Sequence, residues 1–176
     1  MVRVVENLLS ITRINSEEAR VKKAPEAAEE VIGSAVAKTH KHYPDVEVCV
    51  SVPEELMMVP MDPLLIEQVL VNLMENAVIH GGTSRIDIAL TQEGENAVFT
   101  VSDNGSGIPL EVLERLNSHE LIPGGHLGLN NVDRIVRLSY GESCGLSAYP
   151  NEGGGSCVQL RLPMQKGEDH AQGTDR

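Results

Sequence analysis

Asn72-Leu-Met-Glu-Asn76 and Asp103-Asn-Gly105-Ser-Gly107-Ile-Pro are the two most informative stretches of this 176-residue chain. Residues three and four positions apart share a helix face, which gives the first stretch a polar and an apolar side. The polar side holds Asn72, Glu75, Asn76 and Ile79, and the apolar side holds Ile66, Leu70, Leu73 and Ala77. Amide and carboxylate oxygens on adjacent turns suit a hard cation such as Mg²⁺, with Asn76 as candidate ligand. An ordinary solvated face is the alternative for this helix alone.

The second stretch directly follows Ala97-Val-Phe-Thr-Val-Ser102, whose β-branched and aromatic residues predict a strand. Asp103 should therefore stand at a strand end. Gly105 and Gly107 permit positive φ and a close approach of ligand to backbone. The Asp103 carboxylate could accept a hydrogen bond from the exocyclic amine of adenine. A plain surface turn is the alternative, since Asp, Asn and Gly are common turn residues.

A third segment, Gly124-Gly-His-Leu-Gly128-Leu-Asn-Asn-Val-Asp-Arg-Ile-Val-Arg-Leu, places glycines before a helical pattern. Free N–H groups at such a helix start can bind an anion, although a flexible loop explains glycines alone equally simply. The Gly-x-Gly-x-x-Gly dinucleotide motif and the Gly-x4-Gly-Lys-Ser/Thr phosphate loop are absent from the sequence. The combination of the three segments therefore indicates a different kind of nucleotide pocket.

In order and spacing, the three segments resemble the N, G1 and G2 boxes of the Bergerat-fold (GHKL) ATPases, a superfamily that includes sensor histidine kinases. The resemblance covers roughly residues 3 to 163. Residues 4–14, the Pro53 region and residues 62–77 most resemble the potassium-responsive, Kdp-type sensor kinases. Residues 124–141 are closer to the short-lid LytS/YesM-like kinases. The resemblance implies ATP and Mg²⁺ as cofactors.

The resemblance also implies a role for each matched residue. Asn76 would coordinate Mg²⁺, Asn72 would contact phosphate, and Glu75 would be the acid/base residue beside the γ-phosphate. Asp103 would recognise adenine with support from Ser156. The other implied nucleotide-binding positions are His80, Gly105, Gly107, Ile108, Gly125, Gly128 and Leu129.

Three departures from the family pattern accompany these matches. Ile79 stands where most relatives carry a basic residue, and the aromatic box between G1 and G2 is missing. None of the six histidines has the sequence context of a phosphoacceptor. His119 and His126 fall in the implied lid, where either could contact phosphate or face water.

The pattern predicts one main unit, a two-layer α/β sandwich with helices on one face of a mixed, mostly antiparallel sheet. Residues 1–22 resemble the end of a dimerisation helix and a linker, residues 23–164 form the catalytic domain, and residues 165–176 form a polar, disordered tail. Pro25 should open a helix, and Asp62 and Pro63 should start the next one. Alternating apolar residues predict three half-covered strands: Val46 to Val52, Ile86 to Leu90, and Val158 to Leu162.

The charge and composition of the chain limit the kinds of partner that it can bind. A net charge of −12 argues against nucleic acid or an anionic membrane, since phosphate groups are bound by clusters of Lys and Arg. The three cysteines lack metal spacing or a disulfide pattern, and no apolar run is long enough to cross a bilayer. These features predict a cytoplasmic domain.

The resulting hypothesis is the ATP-binding catalytic domain of a two-component sensor histidine kinase, which passes the γ-phosphoryl of Mg-ATP to a histidine on an absent dimerisation domain. Its expected partners are that domain and a response regulator, within a membrane-bound homodimeric parent. The alternatives are a degenerate nucleotide- or partner-binding module, and a GHKL ATPase or serine kinase.

Overall fold

The structure, a computed structural model, describes residues 23–122 and 127–164. The predictions for residues 1–22, for Gly125 and His126, and for residues 165–176 lie outside the described residues. The elements are β1 (Ala24–Ala27), α1 (Ala28–His42), β2 (Glu47–Ser51), β3 (Met58–Met61), α2 (Pro63–Gly81), β4 (Arg85–Glu93), β5 (Asn96–Asp103), α3 (Leu110–Asn117), α4 (Leu127–Tyr140), β6 (Gly145–Pro150) and β7 (Ser156–Pro163). Among the described residues, no helix combines the length and apolar character that a membrane span requires.

Five strands form the main sheet in the order β2-β4-β5-β7-β6, and β1 pairs with β3. β2 runs parallel to β4, and the other neighbours are antiparallel. Phe99 of β5 lies beside Leu90 of β4 and Leu160 of β7, and all three are buried. Helices cover this apolar face, with α2 against β5 and both α3 and α4 against β6. The predicted α/β sandwich with a mixed, mostly antiparallel sheet is confirmed.

α2, the helix of the first motif, begins as predicted. Asp62 Oδ1 accepts hydrogen bonds from the N–H groups of Leu64 and Leu65, at 3.0 and 3.1 Å. Pro63 occupies the first helical turn, where its missing N–H has no helical partner to lose. Gly82 ends the helix in the left-handed region at φ +61°. These two caps fix where α2 begins and ends.

Alternation predicted two of the three strands correctly. The apolar residues of β4 and β7 are buried: Ile86, Ile88, Leu90, Val158, Leu160 and Leu162. The prediction for β2 is wrong in its second half, since Val50 is 49% exposed and Val52 is 41% exposed. β2 is an edge strand paired only with β4, and Val50 and Val52 stay partly exposed there.

The prediction that Pro25 opens a helix is also wrong. Pro25 lies in β1, where it pairs with Pro60 of β3, and α1 begins at Ala28. The Ala28 N–H donates to Met57 O at 3.0 Å. Pairing with a strand far along the chain outweighs the local preference of proline for a helix start, and a two-stranded ribbon tolerates proline because it has free edges.

α1 and α2 are joined by a polar cluster around Glu67, which is 8% exposed. Its carboxylate accepts hydrogen bonds from Lys38 Nζ and Ser34 Oγ. Burial acts to raise the pKa of Glu67, but the hydrogen bonds from Lys38 and Ser34 outweigh burial, and the pKa is lowered. The cluster therefore holds the carboxylate in its ionised form.

Glu67→Gln is expected to reduce the free energy of unfolding at neutral pH by about 1–2 kcal/mol, because charge-assisted hydrogen bonds are lost. A lowered folded-state pKa stabilises the fold above the pKa of the unfolded chain, and this stabilisation is lost as the pH falls through the folded-state pKa. The variant should therefore lose less stability than the parent in acid. Denaturant unfolding from about pH 3 to pH 7 measures both effects. Identical pH dependence in the two proteins would contradict this role of Glu67.

Candidate functional site

A cavity of about 340 Å³ lies between α2, the turn after β5 and the first turn of α4. Eight predicted site residues line it: Asn76, His80, Asp103, Gly107, Ile108, Gly128, Leu129 and Ser156. Apolar side chains complete the wall, among them Leu73, Val101 and Val158. The structure thus brings residues from four separate segments to one cavity that combines apolar surface with a few polar groups, as ligand sites usually do.

Asp103 is the buried acid of this cavity, with 8% of its surface exposed. Its Oδ1 accepts the Gly105 N–H at 2.8 Å, and its Oδ2 accepts the Ser156 N–H at 3.2 Å. Burial raises the pKa of Asp103, while these two hydrogen bonds act to lower it. A carboxylate has about four acceptor positions, so Asp103 can accept a further hydrogen bond from a ligand in the cavity.

Ser156 supports this arrangement with its side chain as well as its backbone. The Ser156 hydroxyl oxygen accepts the Ile108 N–H at 2.7 Å, and Ser156 is 2% exposed. The hydroxyl proton is not used in that contact, so it can be donated to another acceptor. Ser156 therefore connects β7 to the turn after β5 beside the carboxylate of Asp103.

Glycines let three backbone segments meet around Asp103. A Cβ atom at Gly105 would lie 2.5 Å from Gly81 O, and one at Gly155 would lie 2.0 Å from Asp103 O. The Ser106 N–H donates to Gly81 O at 2.9 Å, which closes the same contact. Sequence reasoning predicted Gly105 but missed Gly81 and Gly155. The run of three glycines before Ser156 was the available signal for Gly155.

The sequence predicts only a turn residue at Asn104, and the structure gives it a wider role. Its Oδ1 accepts the N–H groups of Ser84 and Arg85, each at 3.1 Å. Its Nδ2 lies 3.1 Å from Ser84 Oγ. One side chain therefore joins the turn after β5 to the segment between α2 and β4. Sequence reasoning missed this role because a local turn pattern does not identify distant partners.

Asn76 lies beside the first turn of α4, and both line the cavity. A Cβ atom at Gly128 would lie 3.5 Å from Asn76 Nδ2, so the Gly128 backbone is close to the amide. In residues 23–122 and 127–164, no three His, Cys, Asp or Glu side chains lie together so that they could hold a metal ion. A metal ion at Asn76 would take its other ligands from water and from a bound ligand, which is usual for Mg²⁺.

Asn72 lies one turn earlier on α2, outside the main cavity. It borders a narrow cleft between α2 and α4 that Gly128 also lines. Its Oδ1 accepts a hydrogen bond from Gln68 Nε2 at 3.1 Å. Gly128 therefore stands between the cleft of Asn72 and the cavity of Asn76.

The predicted polar stripe of α2 is divided in the structure. Glu75 does not line the cavity, and its Oε1 lies 3.6 Å from Nδ1 of His42 on α1. Ile79 does not line it either and is 46% exposed. Neighbouring positions on a helix are about 100° apart, so Asn76 can face the cavity while Glu75 faces α1. Glu75 therefore lies outside the cavity that Asn76 lines, and its acid/base role stays a prediction.

The amino acids from 61 to 166 match a protein family described as "Histidine kinase-, DNA gyrase B-, and HSP90-like ATPase". The matched range includes α2, β5, α4 and β7, the elements that surround the cavity. Sensor protein KdpD of Escherichia coli (strain K12) is 36% identical over 171 residues, which are 93% of this chain and 19% of that protein. KdpD of Clostridium acetobutylicum is 31% identical over 175 residues, with 94% and 19% covered. The chain spans about a fifth of the length of these relatives.

Solved structures share the fold. The ATP binding domain of PrrB from Mycobacterium tuberculosis superposes with a TM-score of 0.68 at 23% identity, covering 82% of this chain and 99% of that one. Histidine kinase ThkA in complex with response regulator protein TrrA gives a TM-score of 0.74 at 22% identity, covering 93% and 48%. The resemblance to the Bergerat ATPases, and to Kdp-type kinases among them, is confirmed. The chain belongs to the family of histidine kinase-, DNA gyrase B- and HSP90-like ATPases.

Proposed function

We propose that this chain is the ATP-binding catalytic domain of a two-component sensor histidine kinase. It binds Mg-ATP and delivers the γ-phosphoryl to a histidine on the dimerisation domain of the same protein. The observation that carries the proposal is the cavity itself, which is lined by the buried carboxylate of Asp103, by Asn76 and by the first turn of α4. Family membership supplies independent support.

Asp103 recognises the adenine ring. Its two oxygens are oriented by the N–H groups of Gly105 and Ser156, so the remaining acceptor positions have a defined direction before the nucleotide enters. The exocyclic amine of adenine is a donor, whereas the corresponding group of guanine is a carbonyl acceptor that a carboxylate would repel. Apolar contacts from Val101 and Val158 suit the ring face. The site should therefore prefer adenine nucleotides.

The phosphates extend toward Asn76 and the start of α4. The first N–H groups of an α-helix have no partner within the helix and attract anions. Gly128 and Leu129, which lie in that turn, line the cavity. Asn76 would supply an amide oxygen to Mg²⁺, and Asn72 would contact phosphate from its neighbouring cleft. Mg²⁺ bound there would offset part of the phosphate charge, which matters in a chain whose own net charge is −12.

Phosphoryl transfer requires positioning and charge stabilisation more than covalent chemistry by the protein. The acid/base role of Glu75 stays a prediction. Because Glu75 contacts His42 of α1 in this structure, that role would require its carboxylate to turn from α1 toward the acceptor histidine. His80, the next residue in the chain, lines the cavity and would supply a polar contact where most relatives rely on a basic residue at the position of Ile79.

The whole protein would work with two protein partners. One is the dimerisation domain that carries the phosphoacceptor histidine, and the other is a response regulator. ThkA, whose fold this chain shares, is described in complex with a response regulator. We propose a membrane-bound homodimer as the parent, with this domain in the cytoplasm, as the resemblance to the Kdp-type sensor kinases implies.

Asn76→Ala is expected to weaken Mg²⁺-dependent binding of ADP and of a non-hydrolysable ATP analogue by about 10- to 100-fold, because a metal ligand is lost. Calorimetric titration with Mg²⁺ and then with EDTA measures the change. Ile79→Ala, on the same helix but outside the cavity, is the matched control and should bind like the parent. Equal affinity of Asn76→Ala and the parent under both conditions would remove Asn76 as the metal ligand.

One alternative has an observation in its favour. The contact between Glu75 and His42 leaves the cavity without its predicted acid/base residue, as expected for a degenerate module that binds nucleotide or a partner protein without transferring phosphate. Adding the separate dimerisation domain and labelled ATP distinguishes the functions. Acid-labile, base-stable labelling supports the histidine kinase, acid-stable labelling indicates a serine kinase, and nucleotide binding without labelling indicates the degenerate module.

A further inference from the structure

Asn130 of α4 makes a pair of hydrogen bonds with the backbone of a single residue. Its Nδ2 donates to Ile122 O at 2.9 Å, and its Oδ1 accepts the Ile122 N–H at 3.1 Å. Ile122 is 2% exposed and belongs to the hydrophobic core. The carboxamide therefore satisfies both polar groups of a buried residue, as a neighbouring strand would.

Asp133 of the same helix makes a second set of contacts, and it is 6% exposed. Its Oδ1 accepts the Leu146 N–H at 2.8 Å, and its Oδ2 lies 3.2 Å from Nδ1 of His119. His119, which was expected to contact phosphate or face water, contacts this carboxylate instead. Asn130 and Asp133 are three positions apart and thus share a face of α4. This face is attached to the segment after α3 and to β6.

The connection at Asn130 is the one nearest the cavity. Gly128 and Leu129 directly precede it in the first turn of α4, and both line the cavity. The Gly128 backbone lies against the side chain of Asn76. Within one turn of helix the backbone moves as a unit, so the position of Asn130 sets the separation between Gly128 and Asn76. Asn130 itself is not among the residues that line the cavity.

We propose that Asn130 is a positioning residue for nucleotide binding. Its paired hydrogen bonds with Ile122 hold the first turn of α4 at the distance from Asn76 that suits the phosphates and Mg²⁺. The inference rests on the proposed function and extends it to a residue that does not touch the nucleotide.

The chain contains a matched control for this contact. Asn117, at the end of α3, makes the same paired arrangement with Ala148 of β6, through bonds of 2.7 and 2.8 Å. Neither Asn117 nor Ala148 lines the cavity. Asn130→Ala and Asn117→Ala therefore remove the same chemistry from two places, only one of which adjoins the cavity.

Calorimetry with Mg-ADP, at a temperature where each variant is shown to be folded, tests the proposal. Both variants should unfold at a lower denaturant concentration than the parent, since each loses two hydrogen bonds. Only Asn130→Ala should also bind Mg-ADP more weakly, by about tenfold. Equal affinities in the two variants, whether both are like the parent or both are reduced, would overturn the proposal.

Asn130→Asp adds a test by partial rescue, because it keeps an acceptor for the Ile122 N–H but loses the donor. Its affinity should fall between those of the parent and Asn130→Ala, and it carries the test if the alanine variant does not fold. If a folded Asn130→Ala binds Mg-ADP like the parent, the positioning role of Asn130 is contradicted, and the proposed function is not affected. Failure of the parent to bind any nucleotide ends the proposed function.

In that last case, amide hydrogen exchange on the free protein still tests the positioning. The helix pattern pairs the N–H groups of Val132 and Asp133 with the carbonyls of Gly128 and Leu129. Asn130→Ala should accelerate exchange at both amides, and Asn117→Ala should not. Unchanged exchange in Asn130→Ala would show that Asn130 does not hold the first turn of α4.

Discussion

Gly155→Ala is expected to lower the free energy of unfolding by about 2–4 kcal/mol and to abolish measurable nucleotide binding. Gly155 has φ +88°, and an added Cβ would lie 2.0 Å from Asp103 O and 2.8 Å from Asp103 Oδ1. The two segments cannot separate without loss, because Asp103 O accepts a hydrogen bond from Asn151 Nδ2 at 3.0 Å and Asp103 Oδ2 accepts the Ser156 N–H. Denaturant unfolding and calorimetric titration with Mg-ADP measure the two effects.

Gly153→Ala is the control that has the strain of positive φ without the close contact to Asp103. Gly153 also has positive φ, +91°, but no atom lies within 4 Å of the position of an added Cβ. This variant should lose about 1 kcal/mol of stability and retain nucleotide binding. If Gly153→Ala and Gly155→Ala lost the same stability and the same affinity, positive φ alone would account for both, and the contact with Asp103 would have no special importance.

Asp103→Asn is expected to weaken adenine nucleotides by about 10- to 100-fold, the effect of losing a hydrogen bond to a buried charged group. Asparagine has one acceptor oxygen, so it cannot accept from both Gly105 N–H and Ser156 N–H while also accepting from adenine. Binding of ATP should fall more than binding of GTP. The fold should change less than the affinity, which circular dichroism and denaturant unfolding would verify.

Asp87→Asn is the control for charge, since Asp87 on β4 is outside the cavity and the substitution changes the net charge equally. It should bind nucleotide like the parent. Loss of ATP and GTP affinity to the same extent in Asp103→Asn would argue against recognition of adenine by Asp103.

The pH dependence of binding provides a second readout of the same group. Burial raises the pKa of Asp103. The protonated acid has one acceptor position fewer and presents a donor, so affinity for ATP should fall as acid is added, beginning at a higher pH than for an ordinary aspartate. Asp103→Asn should lack this part of the pH dependence. Calorimetry of both proteins across the acid range measures it.

Structural features that depend on neighbouring residues could be predicted from the sequence. Asp62 and Pro63 begin α2 because a cap and a first-turn proline act on the adjacent N–H groups. The alternation of Ile86, Ile88 and Leu90 correctly predicted which face of β4 is buried. The position of Asp103 at the end of β5 followed from the apolar run before it.

Other predictions failed because the deciding partner is distant in sequence. Pro25 joins a strand because Pro60 lies opposite it, and Val50 stays exposed because β2 is at the sheet edge. The contact of Glu75 with His42 of α1 is another long-range contact that the spacing of polar residues on α2 could not indicate, although the acid/base role of Glu75 stays a prediction. Sequence periodicity shows which residues share a face of one helix or strand. It does not show which other element packs against that face.

The amino-acid sequence was sufficient for the family, for the main helices and strands, and for eight of the residues that line the cavity, because these depend on local patterns and on motif spacing. The tertiary structure was needed for the contacts that give the cavity its shape. Gly155 approaches Asp103, Asn104 holds Ser84 and Arg85, and Asn130 holds Ile122. Each contact joins segments that only folding brings together, so its energy depends on a distance that local sequence does not encode.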